Sequence, residues 1–414
     1  MSVFRKSVSA DPGTEAGSDM GMSSQHTGAQ LEPMTVHSRR NWRDLVAEAF
    51  YYTGAFRLLQ RLSRSWELRL PPNRSFPQLR RIPADKYVIL CYHQVGTKGI
   101  PYYCSLAPES FELQMRFLRE NYRVVSLPQL CGELDNPQTR GPAVAVTFDD
   151  GYRGIYTHAY PVLKKYQIPA TIYLTVNSIE TGEVAWYDRI FLALQVFPEE
   201  SLDLTLDRPR RFLLRSQQGR LSAATEIVTL LRRMPDARRS EICVDLDRRV
   251  SLPRAELLDR MLTWGQIQEM SQGGILFGSH TMNHRVVSRL ALEEVDRELR
   301  ESRAVLEQRL SQPILDFAFP FGQSADCGSV HSLVALCGYR SAVTTSWGVN
   351  TAATNRFAFR RVQIGEGRSL PSFAFQLNQL LFRFDDDASK TDPLAAMQEE
   401  AEALGTSSEL PTHR

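Results

Sequence analysis

The run Val144-Ala145-Val146-Thr147-Phe148 ends on Asp149-Asp150-Gly151-Tyr152, and no other stretch restricts the chain as tightly. A short uncharged run of β-branched and aromatic residues reads as a buried strand, and the glycine after the two acids permits a sharp turn at its exit. Adjacent carboxylates at the end of a buried strand are costly to desolvate, so a fold that keeps them must neutralise them with a cation or a proton. One aspartate there is explained as the N-cap of a following helix. The second is surplus to that role.

Around this stretch, from residue 86 onward, strand-like and helix-like segments alternate. Tyr87–Tyr92, Ala143–Phe148, Ala170–Val176, Ile275–Gly278, Leu315–Phe319, Ser341–Thr344 and Phe359–Val362 read as strands, with helices over Glu109–Asn121, Tyr156–Tyr166 and Glu293–Leu310. The alternation predicts an α/β fold with a parallel sheet. About seven strands bring it close to a TIM-type barrel, one unit short. Between Trp186 and Leu262 the pattern breaks into a helical stripe (Trp186, Ile190, Phe191, Leu194) and a hairpin around Asp207-Arg208-Pro209. Residues 186–262 therefore read as an inserted subdomain, and an insertion at the C-terminal ends of barrel strands is placed to wall the substrate site.

The flanks differ in character. Residues 1–40 are rich in Ser, Gly, Thr, Met and Gln, and the tail 385–414 is acidic and rich in small residues; both read as disordered. Residues 41–85 hold an amphipathic, basic helix over Trp42–Leu68, followed by a linker that begins at Pro71-Pro72. That helix reads first as packed on the main domain, and second as a peripheral membrane contact that would use the same apolar face and arginines. A formal charge of +2, with 43% hydrophobic and 23% charged residues, describes an ordinary globular chain and gives no reason to expect nucleic acid. No run of 18 apolar residues and no secretory h-region is present, which implies a cytoplasmic protein, at the inner membrane face if the 42–68 helix binds lipid. The six cysteines lack CxxC spacing and suggest neither a disulfide framework nor a structural zinc site.

Two further strand exits carry chemistry. Gly278-Ser279-His280-Thr281-Met282-Asn283-His284 spaces two histidines four apart, a separation that on a helical turn lets both imidazoles reach one metal ion. With an aspartate from the first exit they leave zinc an open position for water, as a catalytic site requires. Phe317-Ala318-Phe319-Pro320-Phe321-Gly322 by itself reads as an ordinary strand-ending Pro/Gly turn; its location lets backbone amides face developing negative charge, and the Phe321 N–H is the candidate donor.

The order and spacing of these three motifs resemble the metal-dependent polysaccharide deacetylases, the NodB-homology or carbohydrate esterase family 4 enzymes. Leu90-Cys91-Tyr92-His93-Gln94-Val95 and Leu262-Thr263-Trp264 resemble flanking segments of the larger bacterial, exopolysaccharide-associated members. The resemblance covers roughly residues 86–365. It implies a deformed (β/α)7 barrel over 86–384, a zinc ion or a similar divalent metal such as Co2+, and removal of an acetyl group from an N-acetylated sugar of a polysaccharide or its lipid-linked precursor. Carried over residue by residue, Asp149 resembles the catalytic base, Asp150, His280 and His284 the metal ligands, and Phe321 the oxyanion-hole donor. The arginine that the family often places in the turn motif to orient the base is Ala318 here, and no late histidine follows the last strands. The proton donor is then Asp149 itself or His93, which serves equally well as a structural residue. An O-acetyl esterase, a deacylase of another small amide and a carbohydrate-binding relic are the rival readings.

Overall fold

A computed structural model of the chain describes residues 86–96, 105–136, 141–250, 260–323, 327, 330–365 and 369–382. In chain order, β1 (Tyr87–Tyr92) precedes α1 (Pro108–Asn121), β2 (Arg123–Val124), α2 (Leu127–Asp135) and β3 (Ala143–Phe148). A π-helical turn (Ile155–Ala159) then runs into α3 (Tyr160–Tyr166), followed by β4 (Ala170–Leu174) and α4 (Val176–Thr181). The expected insertion supplies α5 (Trp186–Val196), an antiparallel hairpin of β5 (Ser201–Thr205) and β6 (Pro209–Leu213), α6 (Gln217–Arg232) and α7 (Asp236–Arg249). The alternation resumes with α8 (Trp264–Gln272), β7 (Leu276–Ser279), α9 (Leu292–Leu310), β8 (Asp316–Ala318), α10 (His331–Leu336), β9 (Ser341–Val343), β10 (Val362–Gln363) and α11 (Leu370–Phe382).

All pairs in the main sheet are parallel, in the order β10-β1-β3-β4-β7-β8-β9, with the short β2 beside β3. The ends of this curled sheet are joined by the chain leading into β10. The Thr344 amide donates to the Phe359 carbonyl at 2.8 Å and the Arg361 amide to the Ser346 carbonyl at 2.9 Å, while on the other side the Ile364 amide donates to the Cys91 carbonyl at 2.9 Å. The result is the deformed (β/α)7 barrel that the resemblance implies, with its edges paired.

The pleat sorts the side chains. Along β1 and β3, Val88, Leu90, Tyr92, Val144, Val146 and Phe148 pack outward against the helices, whereas Tyr87, Ile89, Ala143 and Ala145 join an inner cluster with Tyr173, Ala318, Val343 and Phe359. Small alanines facing large rings fill the barrel. Leu127 and Leu130 of α2 belong to the same inner cluster, and the Tyr87 hydroxyl donates to Glu133 Oε2 at 2.9 Å, so α2 plugs the N-terminal end. Chemistry is left to the C-terminal mouth.

Some element bounds differ from expectation. The strand read over Ala170–Val176 stops at Leu174, because the Val176 amide turns to the Thr281 carbonyl at 3.2 Å and opens α4. The strand read over Phe359–Val362 is regular only at Val362–Gln363; Phe359 pairs with Val343 through a single bridge. Segments 1–40 and 41–85, the tail 385–414 and Cys104 lie outside the described residues. Cys91, Cys131, Cys243, Cys327 and Cys337 are free thiols, and no helix among the described residues is long and apolar enough to cross a membrane.

The inward-facing Gly278 of β7 measures how tightly the barrel is filled. A Cβ there would lie 2.6 Å from the Tyr173 ring and 2.7 Å from the Asp316 carbonyl oxygen. Gly278→Ala is therefore expected to lower stability by about 1–3 kcal/mol, the usual range for overpacking a core. Urea unfolding checks this; an unchanged midpoint would mean that the two strands give way without strain.

Candidate active site and metal centre

The inward alternation continues beyond the strand ends. Cys91 and His93 extend the parity of Tyr87 and Ile89, Thr147 and Asp149 that of Ala145, His280 that of Gly278, and Arg361 that of Phe359. Asp149 thereby meets Arg361 across the barrel mouth. Arg361 Nη1 donates to Asp149 Oδ1 at 2.7 Å and Nη2 to Oδ2 at 2.6 Å, while its Nε donates to the Thr344 carbonyl at 2.7 Å. Both residues are buried. Burial pushes the Asp149 carboxyl up, yet Arg361 and His280 outweigh it and hold the group below the usual carboxylate range. The fork-to-carboxylate pairing neutralises the first acid of the motif from a different strand than the turn motif, whose Ala318 is fully buried. Arg361 carried no weight in the sequence reading. Its one signal was a charge two positions beyond the inward-facing Phe359, directly before β10.

By parity Asp150 should face the helices, but its φ of +70°, followed by +87° at Gly151, swings it to the mouth. This left-handed backbone costs an L-residue roughly 1–2 kcal/mol. Both ends of the insertion hold it in place. The Leu262 amide donates to the Gly151 carbonyl at 2.8 Å, the Arg153 amide to the Arg260 carbonyl at 2.7 Å, and the Tyr152 hydroxyl to Asp188 Oδ2 of α5 at 2.6 Å.

The two histidines converge on Asp150. His280 Nδ1 lies 2.8 Å from the Ala318 carbonyl, which only accepts, so Nδ1 carries a proton and Nε2 is the nitrogen that faces Asp150. His280 Nε2 and His284 Nε2 lie 3.4 and 3.3 Å from Asp150 Oδ1. The helical turn expected for this spacing is absent. Thr281 at φ +68° and His284 at φ +52° form an irregular turn in which the His284 amide donates to Thr281 Oγ1 at 2.9 Å. All three residues are buried, and neither Asp150 oxygen has a hydrogen-bond partner among the described residues. A buried carboxylate without hydrogen bonds, facing two ring nitrogens, is a donor set that fits a divalent ion.

Donor atoms of Cys91, His93 and Asp149 also lie within 4.8 Å of one another. This group is the poorer cation site, because the Arg361 guanidinium already neutralises the Asp149 charge and burial pushes the Cys91 thiol well up, keeping it protonated. The Cys91 thiol donates to Asp149 Oδ2 at 3.5 Å. His93 stands half-buried beside Asp149, and burial lowers its pKa.

The insertion walls the mouth as expected. The Tyr187 ring lies 4.9 Å from that of His284 and 5.9 Å from that of Phe321, Trp186 lies 6.1 Å from Phe321, and the Arg232 guanidinium covers Phe321 at 4.7 Å. Phe321 itself has φ +59°, packs 5.0 Å from the His284 ring, and accepts the Thr345 hydroxyl on its carbonyl. The Phe321 amide therefore lies in a fixed turn beside the Asp/His/His group.

The Asp149–Arg361 pair carries a pH signature. Because the folded Asp149 carboxyl sits below its unfolded value of about 4, the pair stabilises the protein fully above that pH and loses its effect as pH falls through the lower folded value. Arg361→Met leaves a buried charge alone and is expected to cost about 3–5 kcal/mol at pH 7. The deficit should shrink toward pH ~4, as protonation removes the orphaned charge. Equal deficits at both ends of a urea-unfolding pH series would mean lost packing instead.

Residues 136–342, half of the chain, match the family described as polysaccharide deacetylase. YxkH of Bacillus subtilis (strain 168), provisionally named a polysaccharide deacetylase, is 22% identical over 298 residues, 71% of this chain and 77% of that protein. The poly-beta-1,6-N-acetyl-D-glucosamine N-deacetylase of Escherichia coli (strain K12) is 29% identical over 154 residues, 36% of this chain but only 20% of that enzyme. Among solved structures, the Streptococcus pyogenes deacetylase PplD in complex with acetate aligns with a TM-score of 0.48 at 20% identity, covering 72% of this chain and 99% of that one. With the matched region running from the approach to β3 through β9, and so through all three motifs, the chain belongs to the polysaccharide deacetylase family.

Proposed function

We propose that this chain hydrolyses the acetamido group of N-acetylated hexosamines in an exopolysaccharide, releasing acetate and leaving a free amino sugar. The observation that carries the reading is the buried Asp150, His280 and His284 donor set beside an Asp149 that Arg361 keeps ionised. The Escherichia coli relative is named for poly-beta-1,6-N-acetyl-D-glucosamine, so β-1,6-linked N-acetylglucosamine is the first substrate class to offer.

A zinc-type ion held by Asp150, His280 and His284 would supply Lewis-acid chemistry, polarising the acetyl carbonyl and bringing the pKa of water from about 16 toward 7. Asp149 takes the proton of the attacking water. Negative charge gathering on the carbonyl oxygen meets the Phe321 N–H. The departing nitrogen takes its proton as the C–N bond breaks from Asp149 itself, acting as base and then acid, or from His93, whose ring stands beside Asp149 at the same mouth. Tyr187 and Trp186 close the side of the site and limit the water around the reacting groups.

Acetate release from β-1,6-linked N-acetylglucosamine oligomers, with and without a chelator, tests the reading. Asp149→Asn should keep its metal and lose activity by on the order of a hundredfold or more, the usual size of a general-base contribution. Asp150→Asn should lose metal and activity together. Near-normal turnover by a metal-loaded Asp149→Asn protein would remove Asp149 from its role, and turnover unaffected by chelation would remove the metal.

A further inference from the structure

We infer that Glu298, in the middle of α9 and outside the donor set, is the positioning residue that fixes the two-histidine turn. The inference rests on the metal site proposed above and addresses what keeps its histidines aimed. Residues 281–283 join β7 to His284 without regular backbone pairing of their own. Glu298 is 4% exposed, and it accepts from the Met282 amide at 2.8 Å and the Asn283 amide at 3.2 Å on Oε2, and from Asn283 Nδ2 at 2.9 Å on Oε1. From the opposite side the start of α4 donates into the same turn, the Val176 amide to the Thr281 carbonyl at 3.2 Å and the Asn177 amide to the Met282 carbonyl at 2.9 Å. The Asn177 side chain donates to Asn283 Oδ1. Asn283, the residue before His284, is thereby clamped at its amide, its Nδ2 and its Oδ1, and Glu298 supplies two of the three contacts.

A carboxylate is the group this position requires. Three hydrogen-bond donors converge on two oxygens, with the Arg285 guanidinium 3.8 Å from Oε1 as a further positive neighbour, and a carboxylate accepts on both oxygens without offering a proton. A carboxamide would set its own NH2 against Asn283 Nδ2, and relieving that requires Asn283 and Asn177 to flip their amides together. The register of α9 against β7 is secured one turn further on, where Ser302 Oγ donates to the Glu298 carbonyl at 2.6 Å and lies 2.7 Å from Ser279 Oγ. Thr281 and His284 both hold left-handed backbone, so slack in the clamp lets the turn relax and carries the His284 ring away from Asp150.

The test compares the full-length protein with Glu298→Gln, Glu298→Ala and Asn283→Ala, using zinc competition against a chromophoric chelator and urea unfolding of the chelator-stripped forms. Glu298→Gln is expected to weaken zinc binding about 10- to 100-fold, the usual effect of losing a group that orients a ligand, while the metal-free unfolding midpoint stays near wild type. Asn283→Ala should weaken it by a similar factor, and the two changes combined should fall short of the product of their separate effects, because they cut one clamp. Should Glu298→Ala not fold, the glutamine variant carries the result. Zinc binding by Glu298→Gln within about twofold of a zinc-binding wild type, or a loss of metal-free stability as large as the loss of binding free energy, would overturn the role of Glu298 alone. A wild-type protein that binds no zinc in the same titration would overturn the metal site itself.

Discussion

Everything at the mouth of this barrel follows from having to house two adjacent, buried carboxylates. Each alone is costly to desolvate, and side by side they repel. The fold divides them by pleat parity and answers each differently. Asp149 keeps the inward direction and receives the fork of Arg361, while Asp150 is rotated by its positive φ toward two imidazoles. An arginine cannot leave its carboxylate, whereas a carboxylate facing two ring nitrogens can take up and release a cation. Permanent neutralisation of one acid and exchangeable neutralisation of the other give the neighbours different chemistry although their residue type is the same.

The second constraint is backbone strain. Asp150, His284 and Phe321, one from each motif, all hold left-handed φ, a conformation that L-residues keep only where the surroundings over-determine it. The surroundings differ in each case. Hydrogen bonds from Leu262 and Tyr152 tie the Asp150 loop to both ends of the insertion, Glu298 and α4 grip the His284 turn, and Thr345 with Arg232 holds Phe321. The insertion is thus a strut for two of the three motifs as well as a wall.

The motifs were legible in the sequence because each is a local event, an apolar strand ending abruptly in polar residues and a turn. Ala143–Phe148, the hairpin and the helix near Glu293–Leu310 were legible for the same reason, since period and punctuation lie within a few residues. Arg361 was not legible as the partner of Asp149. The pair is 212 positions apart, and only the joining of the sheet through residues 359–363 brings them together. Asp188 and Glu298 were hidden likewise, each reading as an ordinary polar residue on an amphipathic helix until the fold points it inward. The two histidines do lie together, but not on a helix as their spacing predicts, because a four-residue separation brings side chains together on an α-helix and also across a strand exit folded back by two left-handed residues.

The contacts around the site close into a loop. Asp150 leads through Tyr152 to Asp188, Asp188 is the chain neighbour of Tyr187, the Tyr187 ring packs on His284 and Phe321, and His284 returns to Asp150. Three sequence motifs and the insertion are therefore one mechanical unit, in which a donor atom moves only if several buried partners move with it. A linear chain of contacts would let one end shift while the other held. In a closed ring at interior packing density, a small displacement of α5 reaches the imidazole and the Phe321 turn together. The same insertion that walls the site is then positioned to set the spacing between the Asp150, His280 and His284 group and the Phe321 turn.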